Sequence, residues 1–388
     1  MKLFENVNVS LRVTQTVFLL CGLWNPDFEG WRKYLYYFYS FLSLNFIIGI
    51  YIVVQVGDLS QVWGDVALMT ATIFLLFTNL ALVTKVKNVT MKKVIQEMLE
   101  EAHGELSTEK REVGKEIVRS CDRETLRQLS VYLVLSYTTV VGWALSAEKD
   151  QLPLRAWYPY DTSTTPAYQL TYAHQCIAVS IAAGVNVCLD TLVTSLISQC
   201  RCRLRLLALS LRTLCDDLEF SKTGLLTLSG DSIISDRLYH CVVRHQAVLA
   251  QIKLLQHCFS LPILAQFCVS MIIICVTAYQ LAFESTNLVR IISMVAYLTV
   301  MMLQVFLYCY QGNQLVEESE GVSSAAYECP WYTCSIPVRK SLLLLMTRTR
   351  RAARLTAGGY TELSLASFMS IIKASYTFFT VLQQVEET

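Results

Sequence analysis

Seven stretches of this sequence contain almost no Asp, Glu, Lys or Arg and are long enough to cross a bilayer. The hydrocarbon core takes about 20 helical residues to span. Backbone groups in lipid must be hydrogen-bonded within the segment, so such stretches are expected to be helices. The sequence therefore predicts an all-α, polytopic membrane protein with seven transmembrane helices, at 34–57, 66–84, 128–147, 162–189, 254–283, 291–316 and 363–385.

Composition supports a membrane protein. The chain has 388 residues, of which 54% are apolar and only 16% are charged, whereas soluble domains carry about 25% charged residues. A net charge of +1 argues against a nucleic-acid partner. The first apolar run, 16–24, is too short to span. It predicts a short interfacial or re-entrant helix within an N-terminal segment, 1–33.

Basic residues indicate the orientation, because cytosolic loops carry an excess of Lys and Arg. On one side of the predicted membrane, the N-terminus holds 4 of the 32 Lys and Arg residues. The loops between spans two and three, four and five, and six and seven hold 10, 8 and 6. The N-terminus is therefore predicted to be cytosolic and the C-terminus extracellular, the reverse of a G-protein-coupled receptor. Glycosylation sequons at Asn8 and Asn88 then lie inside the cell and are expected to carry no glycan.

The 14 cysteines agree with this orientation, because none lies in a predicted outer loop. Cys200-x-Cys202 and Cys329-x4-Cys334 fall on the reducing side, where a metal site is conceivable. No second ligand pair lies at suitable spacing, so we interpret these cysteines as structural thiols. No metal or cofactor is expected.

The predicted inner loops have helical patterns, at 91–127 and 201–257, with a break expected at 225–236 because of its Gly, Ser and Asp content. Helices this long need partners, so they predict a cytosolic bundle. Residues 311–359 form its anchor helices. A narrow stripe of mostly small side chains in this segment should pack within the bundle or against other subunits; it comprises Leu315, Ser319, Val322 and Ala326. Pro330 should end that helix.

Several residues near the C-terminus give the chain a family resemblance. They are Tyr308-Cys309-x-x-Gly312, Ser319, Ala326-Tyr327, Trp331 and the ending from Ser375 to Leu382. With seven predicted spans and an internal N-terminus, the chain resembles the insect odorant receptor family. The resemblance extends the subunit anchor to Tyr327 and Trp331. Gustatory receptors share the architecture and part of the motif, and remain an alternative; a G-protein-coupled receptor is a weaker one.

The resemblance implies a function, a partner and a place in the cell. Members of that family are subunits of tetrameric, odorant-gated, non-selective cation channels, in which a divergent odorant-binding subunit assembles with a common co-receptor. This chain has no long insertion between the fourth and fifth spans, so it resembles the odorant-binding subunit. The plasma membrane of olfactory sensory neurons is the expected location.

The last predicted span, within residues 360–388, has one polar side. That side carries Ser370, Lys373, Thr377, Thr380, Val381 and Gln384, and the other carries Phe368, Ile371, Ile372, Phe379 and Leu382. A polar stripe in a membrane helix indicates either a water-filled path or hydrogen bonds to neighbouring helices. The resemblance favours the path: Val381 and Val385 match its hydrophobic gate, and Gln384 matches a polar neighbour.

The outer halves of the other helices, within 34–310, contain no acid or base. They predict a cavity for a small, volatile, mostly apolar molecule. Ser136, Thr139 and Trp143 share a face of the third helix and match the family's pocket positions by spacing. Further candidates are Thr70, Ile73, Phe74, Ile177 and Ile181. Ordinary helix packing is the alternative for each of them.

Other protein classes fit poorly. His240-x4-His245 lacks the clustered histidines of membrane di-iron enzymes, and neither a Gly-rich phosphate loop nor a G-x-S-x-G elbow is present. A transporter would usually show paired inverted halves or interrupted helices. The seven predicted spans, with polarity concentrated in the last one, do not show this pattern. The sequence therefore predicts a receptor channel and no enzyme activity.

Overall fold

The computed structural model describes residues 9–20, 30–41, 108–145, 164–218, 227–283 and 288–386, with isolated positions between 98 and 162. In this part the helices are α1 (Val9–Leu20), α2 (Trp31–Phe41), α3 (Glu112–Leu145), α4 (Ala167–Arg212), α5 (Leu228–Phe283), α6 (Leu288–Glu328), α7 (Ile336–Thr349) and α8 (Leu365–Glu386). A 3-10 turn, Trp331–Thr333, precedes α7. A small antiparallel hairpin, β1 (Thr356–Ala357) and β2 (Thr361–Glu362), precedes α8.

The largely helical architecture agrees with the sequence prediction. Helices α3, α4, α5 and α6 are each long and apolar enough to cross a membrane, and 365–381 of α8 is a shorter apolar helix. They correspond to the predicted spans three to seven. The predicted span 66–84, and 34–57 beyond Phe41, lie outside the described residues. Helix α1 contains residues 16–20 of the short helix expected at 16–24 and packs against α3 and α4, and residues 21–24 lie outside the described residues.

Helices α4, α5 and α6 run without interruption from their apolar stretches into the polar segments, as predicted. The break expected at 225–236 is wrong, because α5 already begins at Leu228. Thr227 caps it, its Oγ1 accepting a hydrogen bond from the Gly230 backbone N–H at 3.2 Å. Ser, Gly and Asp suit a first helical turn, so the composition that indicated a loop marks a helix start instead.

Helix α4 forms the centre of the bundle. Its residues from Gly184 to Leu204 are buried apart from Asn186, and α3, α5, α6 and α1 pack around it. A membrane helix is usually covered on only part of its surface. Because this one is covered all round in that stretch, its polar side chains are removed from water, and each one left without a partner within the chain costs stability.

Asp190 is the first of these buried polar groups, with 2% of its surface exposed. Its carboxylate accepts hydrogen bonds from the hydroxyls of Tyr132 in α3 and Tyr308 in α6, each at 2.8 Å. It also accepts one from the Gln304 side-chain amide in α6. This carboxylate therefore fixes the positions of α3 and α6 relative to α4.

Arginines join the same three helices further along α4. The fully buried Arg201 donates to Glu124 of α3 at 3.1 Å and to Gln311 of α6 at 2.6 Å. Arg205 pairs with Glu318, and Arg212 pairs with Glu328. Near the end of α4, Arg111 binds both Glu109 and the Ser210 hydroxyl. Its hydrogen bonds lower the pKa of Glu109 to about 2.

Gly312 explains part of the C-terminal motif. A Cβ at this position of α6 would overlap the Cβ and the carbonyl oxygen of Leu363. Glycine therefore allows the chain just before α8 to lie directly on α6. Tyr308, one turn earlier, belongs to the Asp190 cluster. The two motif residues thus hold α6 against α4 and against the start of α8.

Replacing Gly312 by Ala should destabilise the protein by about 1–3 kcal/mol, because the added methyl collides with backbone rather than with a movable side chain. Gly321→Ala is the matched control: it lies on the same helix, and a Cβ there meets nothing within 4 Å. That control should be neutral or should stabilise by up to about 1 kcal/mol through helix propensity. Thermal melting of the detergent-purified protein measures both. Equal melting temperatures would disprove the close contact with Leu363.

Asp190→Ala should cost about 2–5 kcal/mol, because it leaves three buried donors without their acceptor. Ser195→Ala is the control, since its buried hydroxyl, on the same helix, has no hydrogen-bond partner in the described part of the chain. The same melting assay should show a large drop in melting temperature for Asp190→Ala and no drop for Ser195→Ala. A small, equal effect of both would mean that the Asp190 cluster does not fix the helices.

Candidate functional site

The predicted ligand face of α3 lies against α6. Ser136 and Thr139 are buried, and the Ser293 hydroxyl of α6 donates to the Thr139 carbonyl at 3.2 Å. A Cβ on Gly142 would lie 2.8 Å from the Cβ of Ser293, so the helices approach closely here. Helix packing therefore occupies part of this face, and its role in ligand binding stays a prediction.

Trp143 lies one turn further along α3 and is half-buried. Its ring pairs with that of Tyr297 of α6, with centroids 5.3 Å apart and planes tilted by 45°. On the neighbouring α4, the Tyr172 hydroxyl donates to the Ala144 carbonyl at 2.8 Å. Three helices thus contribute aromatic rings to one end of the bundle, where flat apolar molecules can stack.

Residues before α4 cover this end of the bundle. The hydroxyls of Tyr160 and Thr171 are 2.8 Å apart, and Gln175 of α4 donates to the Tyr158 hydroxyl at 3.4 Å. Nearby on α4, Nε2 of His174 is buried and has no hydrogen-bond partner among the described residues. This end therefore combines aromatic surface with a few polar atoms that could orient a ligand.

The remaining predicted pocket residues differ in position. Ile181 is half-buried and packs against the main core. Ile177 is 51% exposed, whereas Gln175 and Ala178 beside it are covered, and its place in the pocket stays a prediction. Thr70, Ile73 and Phe74 lie outside the described residues.

Sequence reasoning did not single out Tyr297, Tyr172 or Ser293, although their segments were predicted to line the cavity. Ser293 and Tyr297 are spaced i, i+4 on α6, which places them on one helix face. That spacing was the only sign in the sequence that the two residues act together. The sequence does not show which side of α6 meets α3.

The polar stripe of α8 is largely uncovered in this chain. Ser370, Lys373, Thr377 and Gln384 are exposed, Thr380 is half-buried and Val381 is 49% exposed. Among the described elements, the main packing partners of α8 are α5 and α6, and it meets them through the predicted apolar side, where Phe368, Ile371 and Ile372 meet the core. Val385 lies in the last turn, where only the backbone is described.

Hydrogen bonds distinguish the two sides of α8. The hydroxyls of Ser370, Thr377 and Thr380 all donate to backbone carbonyls of α8 itself. Ser375, which is buried on the packed side, instead donates to the Met271 carbonyl of α5 at 3.2 Å as well as to its own helix. The hydroxyls of the polar stripe therefore do not join α8 to another of the described helices.

The predicted anchor residues fall into two groups. Leu315, Ser319, Val322 and Ala326 are at most 1% exposed, and the Ser319 hydroxyl accepts a hydrogen bond from the Ala353 backbone N–H at 3.0 Å. The stripe is thus covered by the chain itself. Tyr327 and Trp331 are 63% and 36% exposed, so they are the anchor residues that another subunit could contact.

The cysteines singled out by spacing are buried. Cys200, Cys202, Cys329 and Cys334 are each at most 2% exposed, and the described residues contain no group of three side chains placed to hold a metal. A hydrogen bond with Cys215 lowers the pKa of Cys334 to about 7. Their interpretation as structural thiols stays a prediction.

Comparison with known proteins identifies the family. The sequence profile of the 7tm odorant receptor family matches residues 61–376, which is most of the chain. The chain belongs to the insect odorant receptor family. It is accordingly a transmembrane receptor of olfaction, and its relatives are receptors rather than enzymes.

Similar receptors come from several insects. Odorant receptor 46a, isoform A, of Drosophila melanogaster is 26% identical over 324 residues, covering 81% of each chain. Odorant receptor Or1 of Anopheles gambiae is 24% identical over 395 residues, covering 95% of this chain and 94% of the other.

The fold matches that of a solved odorant receptor. The insect olfactory receptor OR5 from Machilis hrabei, in complex with eugenol, superposes with a TM-score of 0.78 at 20% identity, covering 97% of both chains. The same receptor without that ligand gives a TM-score of 0.77. The sequence identity is low, so this likeness supports the architecture and assigns no ligand to this receptor.

Proposed function

We propose that this receptor is the odorant-binding subunit of a ligand-gated, non-selective cation channel, which it forms as a hetero-oligomer with the odorant receptor co-receptor. A heterotetramer is the assembly that the family resemblance implies. The observation that carries the proposal is the uncovered polar stripe of α8. Ser370, Lys373 and Thr377 are exposed, and the described helices do not cover them, so this side of α8 can face water or a partner subunit.

In this proposal, α8 lines the ion path and Val381 and Val385 close it. Rings of aliphatic side chains at a constriction exclude water, so the closed state needs no plug. A small rotation that removes a valine and presents Gln384 would admit water and cations. Lys373 lies about 12 Å below Val381 at 1.5 Å per residue, and we place it where the path is wide, because an unpaired ammonium in lipid is costly.

The odorant would bind at the aromatic end formed by α3, α4 and α6. Trp143 and Tyr297 supply stacking surface, while His174 and Gln175 supply polar atoms for orientation. A volatile molecule of about ten heavy atoms could bind there with roughly micromolar affinity. Only its difference in affinity between the open and closed states can drive opening.

The connection between the fourth and fifth spans supports the odorant-binding role. Helix α4 ends at Arg212 and α5 begins at Leu228, so no long insertion separates them. In the family resemblance, a long insertion at this point marks the common co-receptor.

The proposed arrangement in the plasma membrane of olfactory sensory neurons follows the charge asymmetry. Residues 1–33 are cytosolic, 34–310 form six spans with the odorant site in their outer half, 311–359 form a cytosolic anchor, and 360–388 contain the pore helix and a short extracellular end. The ion pairs that join α3, α4 and α6 at Arg201, Arg205 and Arg212 lie in the cytosolic part.

Expression with the co-receptor should give currents evoked by volatile molecules, and expression without it should give none. Trp143→Ala should raise the half-maximal odorant concentration about tenfold through loss of ring stacking. Currents evoked by an agonist of the co-receptor should be unchanged. Whole-cell recording against a broad odorant panel measures all three.

Val141→Ala is the control for that variant, because Val141 lies on the same helix and is 54% exposed. It should respond like the wild type. If no volatile evokes current in either condition, the channel proposal fails. If Trp143→Ala reduces odorant and co-receptor-agonist currents equally, Trp143 is not at the odorant site.

Cysteines introduced at Thr377, Thr380 and Gln384 should react with a water-soluble thiol reagent, because the proposal places them on the water-filled side of α8. Current before and after the reagent measures the reaction, with the wild type as the blank for native cysteines. Ser375→Cys is the control: residue 375 is 1% exposed and faces α5, so it should stay unmodified. Protection of all three stripe cysteines at rest and during odorant stimulation would contradict the pore role of α8.

A further inference from the structure

A basic groove lies between α5 and the segment that joins α7 to the hairpin. It encloses about 700 Å³, which is large enough for a substituted phosphate headgroup. Its polar lining comprises Lys253, Gln256, Thr347, Arg348, Arg351 and Arg354. The odorant and pore roles use none of these residues.

The positive charge of the groove is only partly neutralised. Lys253, Arg348 and Arg351 are exposed and have no ion-pair partner among the described residues. Arg354 is paired with Glu362, at 2.8 and 3.1 Å, and the field of Glu320 also reaches it. Burial and the nearby charge of Arg348 lower the pKa of His245, because both disfavour a second positive charge there.

Hydrogen bonds hold the groove in shape. The Thr356 backbone N–H donates to the Gln256 side chain at 2.8 Å, and the Gln256 amide donates back to the Thr356 carbonyl at 3.0 Å. Ser319 fixes the Ala353 backbone. The segment that carries Arg351 and Arg354 is therefore tied to both α5 and α6, so little ordering is needed when an anion binds.

The groove opens where the chain enters the membrane. Lys253 is the last charged residue of α5 before the apolar stretch 254–283. The hairpin packs beside α5 about two turns further on, where the Gly358 N–H donates to the Ser260 carbonyl at 2.9 Å, and the apolar helix α8 begins at Leu365. In the orientation that underlies the proposed function, this level is the cytosolic leaflet, whose lipids include anionic ones.

We propose that this groove binds the phosphate groups of an anionic headgroup, supplied by a phospholipid of the cytosolic leaflet. Guanidinium groups bind phosphate oxygens in a bidentate manner, and basic pockets between membrane helices on the cytosolic side suit phosphorylated headgroups. Three uncompensated cations favour a headgroup with more than one phosphate. A lipid bound here contacts α5 and the connection to α8, and so touches the support of the pore helix.

The test uses the purified receptor with its co-receptor in phosphatidylcholine nanodiscs and a fluorescent short-chain phosphatidylinositol bisphosphate as the probe. Wild-type protein should bind the probe saturably. The triple variant K253Q/R348Q/R351Q should bind at least about tenfold more weakly, since it removes three positive charges that attract the phosphates. The control R123Q/R127Q/K340Q removes the same charge from exposed positions elsewhere and should stay within about twofold of the wild type.

Competition identifies the source of the phosphate. The competitors are unlabelled lipid, inositol trisphosphate and inorganic phosphate. If either soluble anion displaces the probe as effectively as the unlabelled lipid does, the site binds free anions and the lipid proposal is overturned. Equal displacement by phosphatidylserine at matched total charge, or equal losses in the two triple variants, would show a general surface field and overturn it too. Equal melting temperatures of the variants exclude unfolding.

Binding is measured without odorant or current, so it separates this inference from the proposed function. Saturable lipid binding in a receptor that never conducts would support the lipid site and contradict the channel role. Odorant-evoked current without specific binding of the probe would support the channel role and contradict the lipid site.

Discussion

The charged side chains on the central helix constrain the whole bundle. Asp190 and Arg201 lie inside α4 where water is excluded, and a buried charge without partners costs several kcal/mol. Their partners come from α3 and α6 at fixed points: Tyr132 and Glu124 on one helix, Tyr308 and Gln311 on the other. These contacts set the relative height and rotation of the three helices. The aromatic end at Trp143 and Tyr297 then follows from the same arrangement.

Helix α8 is attached to this rigid centre on one side only. Gly312 brings the chain before α8 onto α6, and Ser375 bonds to α5, while the opposite side of the helix has no cover from the described helices. Helix α8 thus has one packed side and one side that the described helices leave uncovered, whereas α4 is covered all round from Gly184 to Leu204 apart from Asn186. This difference between a fixed centre and a half-attached last helix suits a channel subunit whose binding site and gate lie on different helices.

Apolar length and polar periodicity were readable in the sequence because each depends on local spacing. The long helices, the two sides of α8 and the burial of the Leu315 to Ala326 stripe came from such patterns. The break expected at 225–236 was wrong, since Ser, Gly and Asp occur in helix starts as well as in loops, and only the Thr227 cap distinguishes them. Whether Ile177 and Ile181 line the pocket stays a prediction, since position on one helix does not show which neighbour covers which face.

By itself, the sequence determined that this chain is a helical membrane protein, which way its charges bias it to insert, and which family it resembles. Those properties are sums over local composition, and lipid allows few alternatives to a helix. The tertiary structure decided which polar groups meet: Asp190 with two tyrosines, Ser293 with the Thr139 backbone, and Lys253 with the arginines that follow α7. These partners are far apart in the chain, and their meeting depends on helix rotations that are set by packing against several helices at once.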